Sequence, residues 1–289
     1  MKIGCEMRLL LLPALFVTFI GCSLKLNKKV ILRDGLFYEK NSEKLLNGKF
    51  TIPRGSFEGI ERESRGEIKE GKQTGLWKFY HSNGKLAEVS LWNNNVKDGS
   101  ITVFYESGKK AGEGNFKDGK QDGLTMEWHE NGHKKLKSYF KDGKRNGLLT
   151  SWHDNGQIEE QGTFLNGHSH GLIKQWEKNG DLLAEFNSKD GKKHGNCTHY
   201  YSNGTKEWIH NYKDGKESGS STQWYPNGSK KLEGVWEDGK IISCSVWKPN
   251  GEKCNSTKIK NGDGVVVFYN EDGQVLNENY FKNGKKLAF

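Results

Sequence analysis

The side chains in this chain best suited to chemistry recur at fixed spacing. His129 and His153 stand 24 residues apart, His81 lies two such steps before His129, and Glu177 follows His153 at the same step. A stripe of imidazoles ending in a carboxylate is a donor set that suits a divalent metal. On a two-stranded unit, however, equivalent positions lie about 9 to 10 Å apart, two strand spacings, while zinc holds its nitrogens at roughly 2 Å. The stripe therefore reads as a solvated face whose side chains are candidate contact residues. No metal and no other cofactor is expected. His168-Ser169-His170 falls in a turn and reads as turn filler. The sequence holds no Ser-His-Asp arrangement, phosphate-binding glycine loop or HExxH pair, so neither an enzyme nor a small-molecule substrate is expected.

Cysteine and lysine offer two further chemistries. Cys244 and Cys254 flank the Pro249-Asn250-Gly251 turn almost symmetrically, which places them on adjacent strands. A disulfide is expected there as one option in an oxidising compartment, and two small buried thiols as the other. Lys120, Lys144, Lys192, Lys216 and Lys240 each follow a recurring glycine, as do Lys72 and Lys285. They predict a stripe along one edge, with charges spaced near the ~8 Å Debye length of physiological salt. Such a stripe, in a chain of formal net charge +9, would steer phospholipid headgroups or an acidic protein. The acidic residue two positions before most of these lysines partly cancels the stripe, and a plain solvated edge is the alternative. Nucleic acid is not expected as a partner outside the cytosol.

The elements that carry these residues follow from three glycine series. Gly75, Gly99, Gly123, Gly147, Gly171, Gly195 and Gly219 lie 24 residues apart. A second series runs from Gly84 to Gly228 and is preceded by Asn at every step except Ser107. A third runs from Gly119 to Gly239 and is preceded by Asp or Asn. Each period thus carries two turn signals half a period apart, which predicts two short strands joined by type I′ turns. A repeat of this length predicts one array in place of two ordinary domains. Only 33% of the chain is apolar while 11% is aromatic, so the core must be thin and built from rings.

Counted from the leading glycine, position 5 carries Tyr80, Phe104, Trp128, Trp152, Trp176, Tyr200 and Trp224. Position 17 carries Trp92, Phe116, Phe140, Phe164, Tyr212 and Trp236, with Ser188 the exception and Phe186 two residues before it. These odd positions, with Leu76, Leu124, Leu148 and Leu172 at position 1, are expected on one inner face. Gly114, Gly162 and Gly234 at position 15 would leave room beside the next ring. A sugar-binding or base-stacking platform is the alternative reading of the rings.

The pattern G-L-x-x-x-W-x-x-N-G, followed by an aromatic and D-G-K-x-x-G, resembles the MORN repeat in its bacterial variant form. Gly123 to Gly147 and Gly147 to Gly171 are the clearest copies. The resemblance spans residues 34–289, with Asp34 to Tyr38 as an entry unit and a frame slip near Ser243 and Trp247. It implies an all-β, elongated antiparallel β-hairpin array. Bacterial chains of this kind resemble YwqK-type antitoxins, while eukaryotic relatives are junctional and membrane-associated scaffolds; both imply binding. The leading expectation is a non-enzymatic envelope scaffold for a protein partner or membrane surface. The alternative is an antitoxin or immunity-type inhibitor that occludes a toxin.

The N-terminus is a separate object. Lys2 and Arg8 precede an apolar run from Leu9 to Ile20, too short to span a bilayer comfortably, so residues 1–21 read as a signal peptide. Phe19-Ile20-Gly21-Cys22 resembles a bacterial lipobox, which implies lipidation at Cys22. Ser23 in the next position tilts the expected location towards the outer membrane. Residues 22–33 are expected to form the lipidated end and a tether.

Overall fold

The computed structural model describes residues 24–25, 30–56 and 62–288. The expected signal peptide and Cys22 lie outside the described residues. Among the described residues the chain consists of strands and turns, without a helix. From Gly48–Ile52 to Lys240–Val246, each long strand pairs antiparallel with the next along the sequence. One short parallel pairing sets Leu24–Lys25 against Phe50 and Thr51. The last strands, Lys258–Lys260, Asp263–Tyr269, Val275–Lys282 and Lys285–Lys286, form a second, smaller antiparallel sheet.

The two turn signals make different turns. At Asp142-Gly143 the φ angles are 51° and 79°, and the pattern repeats at Asp118, Asn166, Asp190, Asp214 and Asp238 with their glycines. Positive φ at both central residues is the two-residue type I′ hairpin. At the Asn-Gly signals only the glycine is left-handed, as at Gly132 with φ 95°. There the His129 amide donates to His133 O at 2.8 Å and the Gly132 amide to His129 O at 2.8 Å. That is a type I turn closed by a left-handed glycine, the three-residue loop, so the expectation of two identical turns holds for only one of them.

The longer loop also alters which residues share a face. Within Gly123–Trp128 and Lys134–Lys141, Gly123 pairs with Phe140, Thr125 with Ser138 and Glu127 with Leu136, before the register shifts at Trp128. Even positions of the first strand therefore share a face with odd positions of the second. The rings at position 17 lie on that face, while the rings at position 5 and the leading leucines lie on the other. Leu76, Leu148 and Leu172 are half exposed, whereas Trp77, Leu149 and Ile173 at position 2 are buried. The single odd-numbered inner face read from the sequence is thus corrected, because the loop adds one residue that changes the parity.

The leading glycines sit directly opposite the position-17 rings at Trp92, Phe116, Phe140, Phe164, Tyr212 and Trp236. Their φ values run from 67° to 125°, a region that L side chains rarely adopt. At position 15 the expected room beside a ring is found at Gly234, where a Cβ would stand 2.6 Å from Trp236 Cζ3, but Gly162 has a different cause. A Cβ on Gly162 would stand 2.2 Å from Ile173 Cδ1, so this glycine admits the position-2 side chain of the next strand.

Two hydrophobic clusters close the array. Near the start, Phe37, Leu46, Phe50, Ile52, Ile68 and Trp77 pack together. At the far end, Leu232, Ile241 and Val246 meet Ile259, Val266, Val267 and Tyr269. Burying each such aliphatic contributes about 1.5–3 kcal/mol, and caps of this kind are what a stack of thin repeats requires. The first cap begins earlier than expected. Val30–Arg33 pairs with Leu36–Glu39, and Asp34 and Gly35, at φ 51° and 75°, make the turn between them, so the expected entry unit is the second half of a hairpin that starts at Val30.

Candidate binding surface

The Asp-Gly edge is held by a continuous series of main-chain bonds, to which side chains add only long contacts, such as Asp142 N to Asp122 Oδ2 and His194 Nδ1 to Asp214 Oδ1, both at 3.5 Å. The Gly143 amide donates to Gln121 O, Gly167 to Arg145 O, Gly191 to Ser169 O, Gly215 to Lys193 O and Gly239 to Glu217 O, all at 2.8–3.0 Å. Each turn thereby hangs on the one before it. The side chains flanking the turns at Gly119, Gly143, Gly191 and Gly215 are lysines, whereas Leu165 faces His168 across Asn166-Gly167. Lys117 pairs in register with Lys120, Lys141 with Lys144, Lys189 with Lys192 and Lys213 with Lys216. All eight are exposed, and none forms an ion pair among the described residues. Lys240 instead faces Glu237.

Like charges directly across a strand pair destabilise the sheet, so this edge carries a repulsion that its fold does not need. The five expected lysines do line one edge. Lys117, Lys141, Lys189 and Lys213 went unread, although the tetrapeptide Lys-Asp-Gly-Lys would have revealed them, since a two-residue hairpin sets its flanking residues face to face.

The opposite edge is fastened by side chains. His129 Nε2 lies 2.8 Å from Trp152 O and His153 Nε2 2.8 Å from Trp176 O, while His81 reaches Phe104 O at 2.9 Å. A carbonyl only accepts, so each Nε2 carries the proton. Tyr105, Tyr201 and Tyr225 hydroxyls donate to the equivalent carbonyls of Trp128, Trp224 and Trp247 at 2.6–2.9 Å. Asn131, Asn155 and Asn203 donate through Nδ2 to Asp154 O, Lys178 O and Pro226 O. His129 and His153 are therefore clasps between repeats, not the free contact residues expected. Glu177 is exposed and makes no clasp, and Asn179 turns back to Asp181 Oδ2 at 2.8 Å. Where both clasps fail, a crevice of about 390 Å³ opens beside Tyr200 and Tyr201.

On the face of the position-17 rings, one stretch gathers polar and aromatic groups. His199 stacks on Trp208 with centroids 5.2 Å apart, and His210 lies near Trp208, Tyr212 and Trp236. Lys193 Nζ stands over Phe186, Trp208 and Tyr212 at 5.2–5.9 Å. His210 Nδ1 is 2.8 Å from Glu217 Oε1, and that bond, against the cost of burial, holds the Glu217 carboxyl below its ordinary value. Burial first and the Glu217 charge second push Tyr212 up to about 12. The groups consume one another's hydrogen-bonding and charge capacity. No group of three His, Cys, Asp or Glu side chains able to hold a metal occurs among the described residues.

Five segments, residues 73–94, 97–118, 121–142, 145–166 and 262–283, match the family model described as MORN repeat variant. These five units are similar to the MORN repeat variant. No curated protein matches the chain. The ring and carboxylate cluster lies in the unmatched stretch between residues 166 and 262, although the Asn-Gly and Asp-Gly turns continue through it.

That stretch also contains the frame slip, with Cys244 and Cys254 on either side of its turn. The Cys254 amide donates to Val246 O at 2.8 Å, which sets Cys254 two residues out of register with Cys244. Both thiols are free in this structure. The symmetric placement expected from the turn is corrected by this register. Cys254 Sγ accepts from the Tyr269 hydroxyl at 3.0 Å and from Thr257. Burial opposes ionisation of Cys254, but the Thr257 and Tyr269 bonds outweigh it and bring its pKa down, while burial pushes Cys244 up to about 11.

Proposed function

We propose that this chain is a non-enzymatic scaffold of the bacterial envelope, anchored by lipid at Cys22, whose Asp-Gly edge docks on an anionic membrane or protein surface. MORN repeats typically mediate binding or membrane association. The observation that carries the reading is the set of four cross-strand lysine pairs from Lys117 to Lys216. Repulsion retained on an edge that main-chain bonds already hold is best explained by a counter-charge outside the molecule. The turn aspartates leave each tetrapeptide one positive charge in excess, repeated about every 9 to 10 Å where the tetrapeptide recurs in consecutive units. Each lysine near an anionic bilayer contributes about 1 kcal/mol, so a few engaged pairs suffice for reversible binding.

The test is co-sedimentation with phosphatidylglycerol vesicles and with neutral phosphatidylcholine vesicles. The wild-type soluble part should prefer the anionic vesicles, release on added salt, and weaken at least about tenfold when the eight lysines become glutamine. Equal sedimentation with both vesicles, or an unchanged glutamine variant, would overturn the membrane arm. Capture of an acidic partner that survives those substitutions would overturn the edge itself. Palmitate labelling in a bacterial host should disappear in Cys22→Ala.

A further inference from the structure

The ladder of long strands is interrupted at the frame slip, and a cavity sits there. From Gly48–Ile52 to Lys240–Val246 each long strand pairs with the next, but the strand that follows, Lys258–Lys260, has three residues and belongs to the other sheet. The turns still hang together, through Gly262 N to Ile242 O at 3.0 Å and Ile241 N to Gly284 O at 3.2 Å. The strands between them do not form a ladder. On the face of the position-17 rings the gap leaves a trough of about 400 Å³. Trp236, Phe268 and Phe281, all partly buried, wall it, and the buried Leu232 and Val266 floor it.

The rim is basic. Lys285 and Lys286 line the mouth and form no ion pair among the described residues, whereas Lys282 on the same turn is held by Asp263 at 2.7 Å. At the position equivalent to Lys286, Lys193 lies over rings of its own face; Lys286 has no such ring partner among the described residues. An apolar trough with unspent cations at its rim is the arrangement of a small-molecule site, and an apolar cavity of only about 150 Å³ already admits benzene. We propose that the trough between Trp236 and Phe281 binds a small anionic amphiphile, its apolar tail on the rings and its carboxylate on Lys285 and Lys286. Of the lysines that follow a recurring glycine the site uses only Lys285, and it uses none of the eight paired edge lysines.

The test is isothermal titration of the protein with dodecanoate, below its micelle concentration, and with dodecanol. Wild type should take up one dodecanoate per chain and prefer it over dodecanol. The exposed double substitution K285Q/K286Q should weaken dodecanoate about tenfold and leave dodecanol unchanged. Phe268→Trp, checked for folding by near-ultraviolet circular dichroism, should weaken both by filling the trough. Absence of saturable binding, more than one equivalent bound, or equal affinities for dodecanoate and dodecanol would overturn the proposal, as would a double variant that binds dodecanoate like wild type.

Discussion

Asn155 and Asn179 occupy the same position in consecutive repeats, yet only Asn155 joins its repeat to the next. Asn155 accepts from the Gln157 amide at 3.1 Å and donates to Lys178 O at 2.6 Å. Asn179 accepts from the Asp181 amide at 3.0 Å and spends its donor inside its own turn. Serine in either place keeps an acceptor for the turn but cannot reach the next repeat, as Ser107 shows in its own turn, where it accepts from the Lys109 amide at 3.5 Å.

Asn155→Ser should therefore cost the net value of one inter-repeat hydrogen bond, about 1 kcal/mol, and Asn179→Ser a few tenths. In a repeat array stability is close to a sum of unit and interface terms, so the loss stays local to one interface. For a chain of this size that corresponds to about 2–4 °C in midpoint for the first variant and under half of that for the second. Thermal unfolding gives the midpoints, and native-state hydrogen exchange at the amides of His168–Trp176 locates the loss. Equal shifts for the two variants would refute the clasp as the source of inter-repeat stability.

Three other outcomes follow from the same geometry. Because histidine and tyrosine serve interchangeably at position 6, His153→Tyr should leave the urea midpoint nearly unchanged, while His153→Phe loses about 1 kcal/mol; equal effects would sink the bond to Trp176 O. Gly162→Ala should destabilise by about 1–3 kcal/mol through overpacking against Ile173, and pairing it with Ile173→Val should recover part of the loss in a double-mutant cycle. The Glu217 carboxyl is held below its ordinary 4.5 by His210. Its contribution is therefore complete above that value and is lost as pH falls through the lower folded value, so Glu217→Gln should flatten this part of the acid limb of a stability profile. An acid limb identical in both proteins would contradict the pairing.

The period itself, the all-β class and the lysine edge were legible in the sequence because each depends on local turn chemistry. Asp142-Gly143 and its equivalents dictate a two-residue hairpin wherever they occur. What was illegible depended on relations between turns. The parity change at His129 to His133 required knowing that Asn131 uses its side chain to close a three-residue loop, and that choice decides which of Leu148 and Leu149 is buried. The clasping roles of His129 and His153 were equally hidden, since their partners lie 23 residues away and are main-chain atoms with no residue type to betray them. The trough at Trp236 was marked in the sequence only as an irregularity of spacing.

The two edges of the sheet differ in what they leave to chance mutation. At the side-chain edge, replacing Asn155 or His153 undoes a joint, so drift there is checked by stability. At the Asp-Gly edge the joint is the amide of glycine, which no substitution at Lys141 or Lys144 can remove. A lineage can therefore rewrite the charge of that edge, repeat by repeat, while inheriting the same architecture. Descendants of one ancestral array could address quite different surfaces and still share every fold-determining residue.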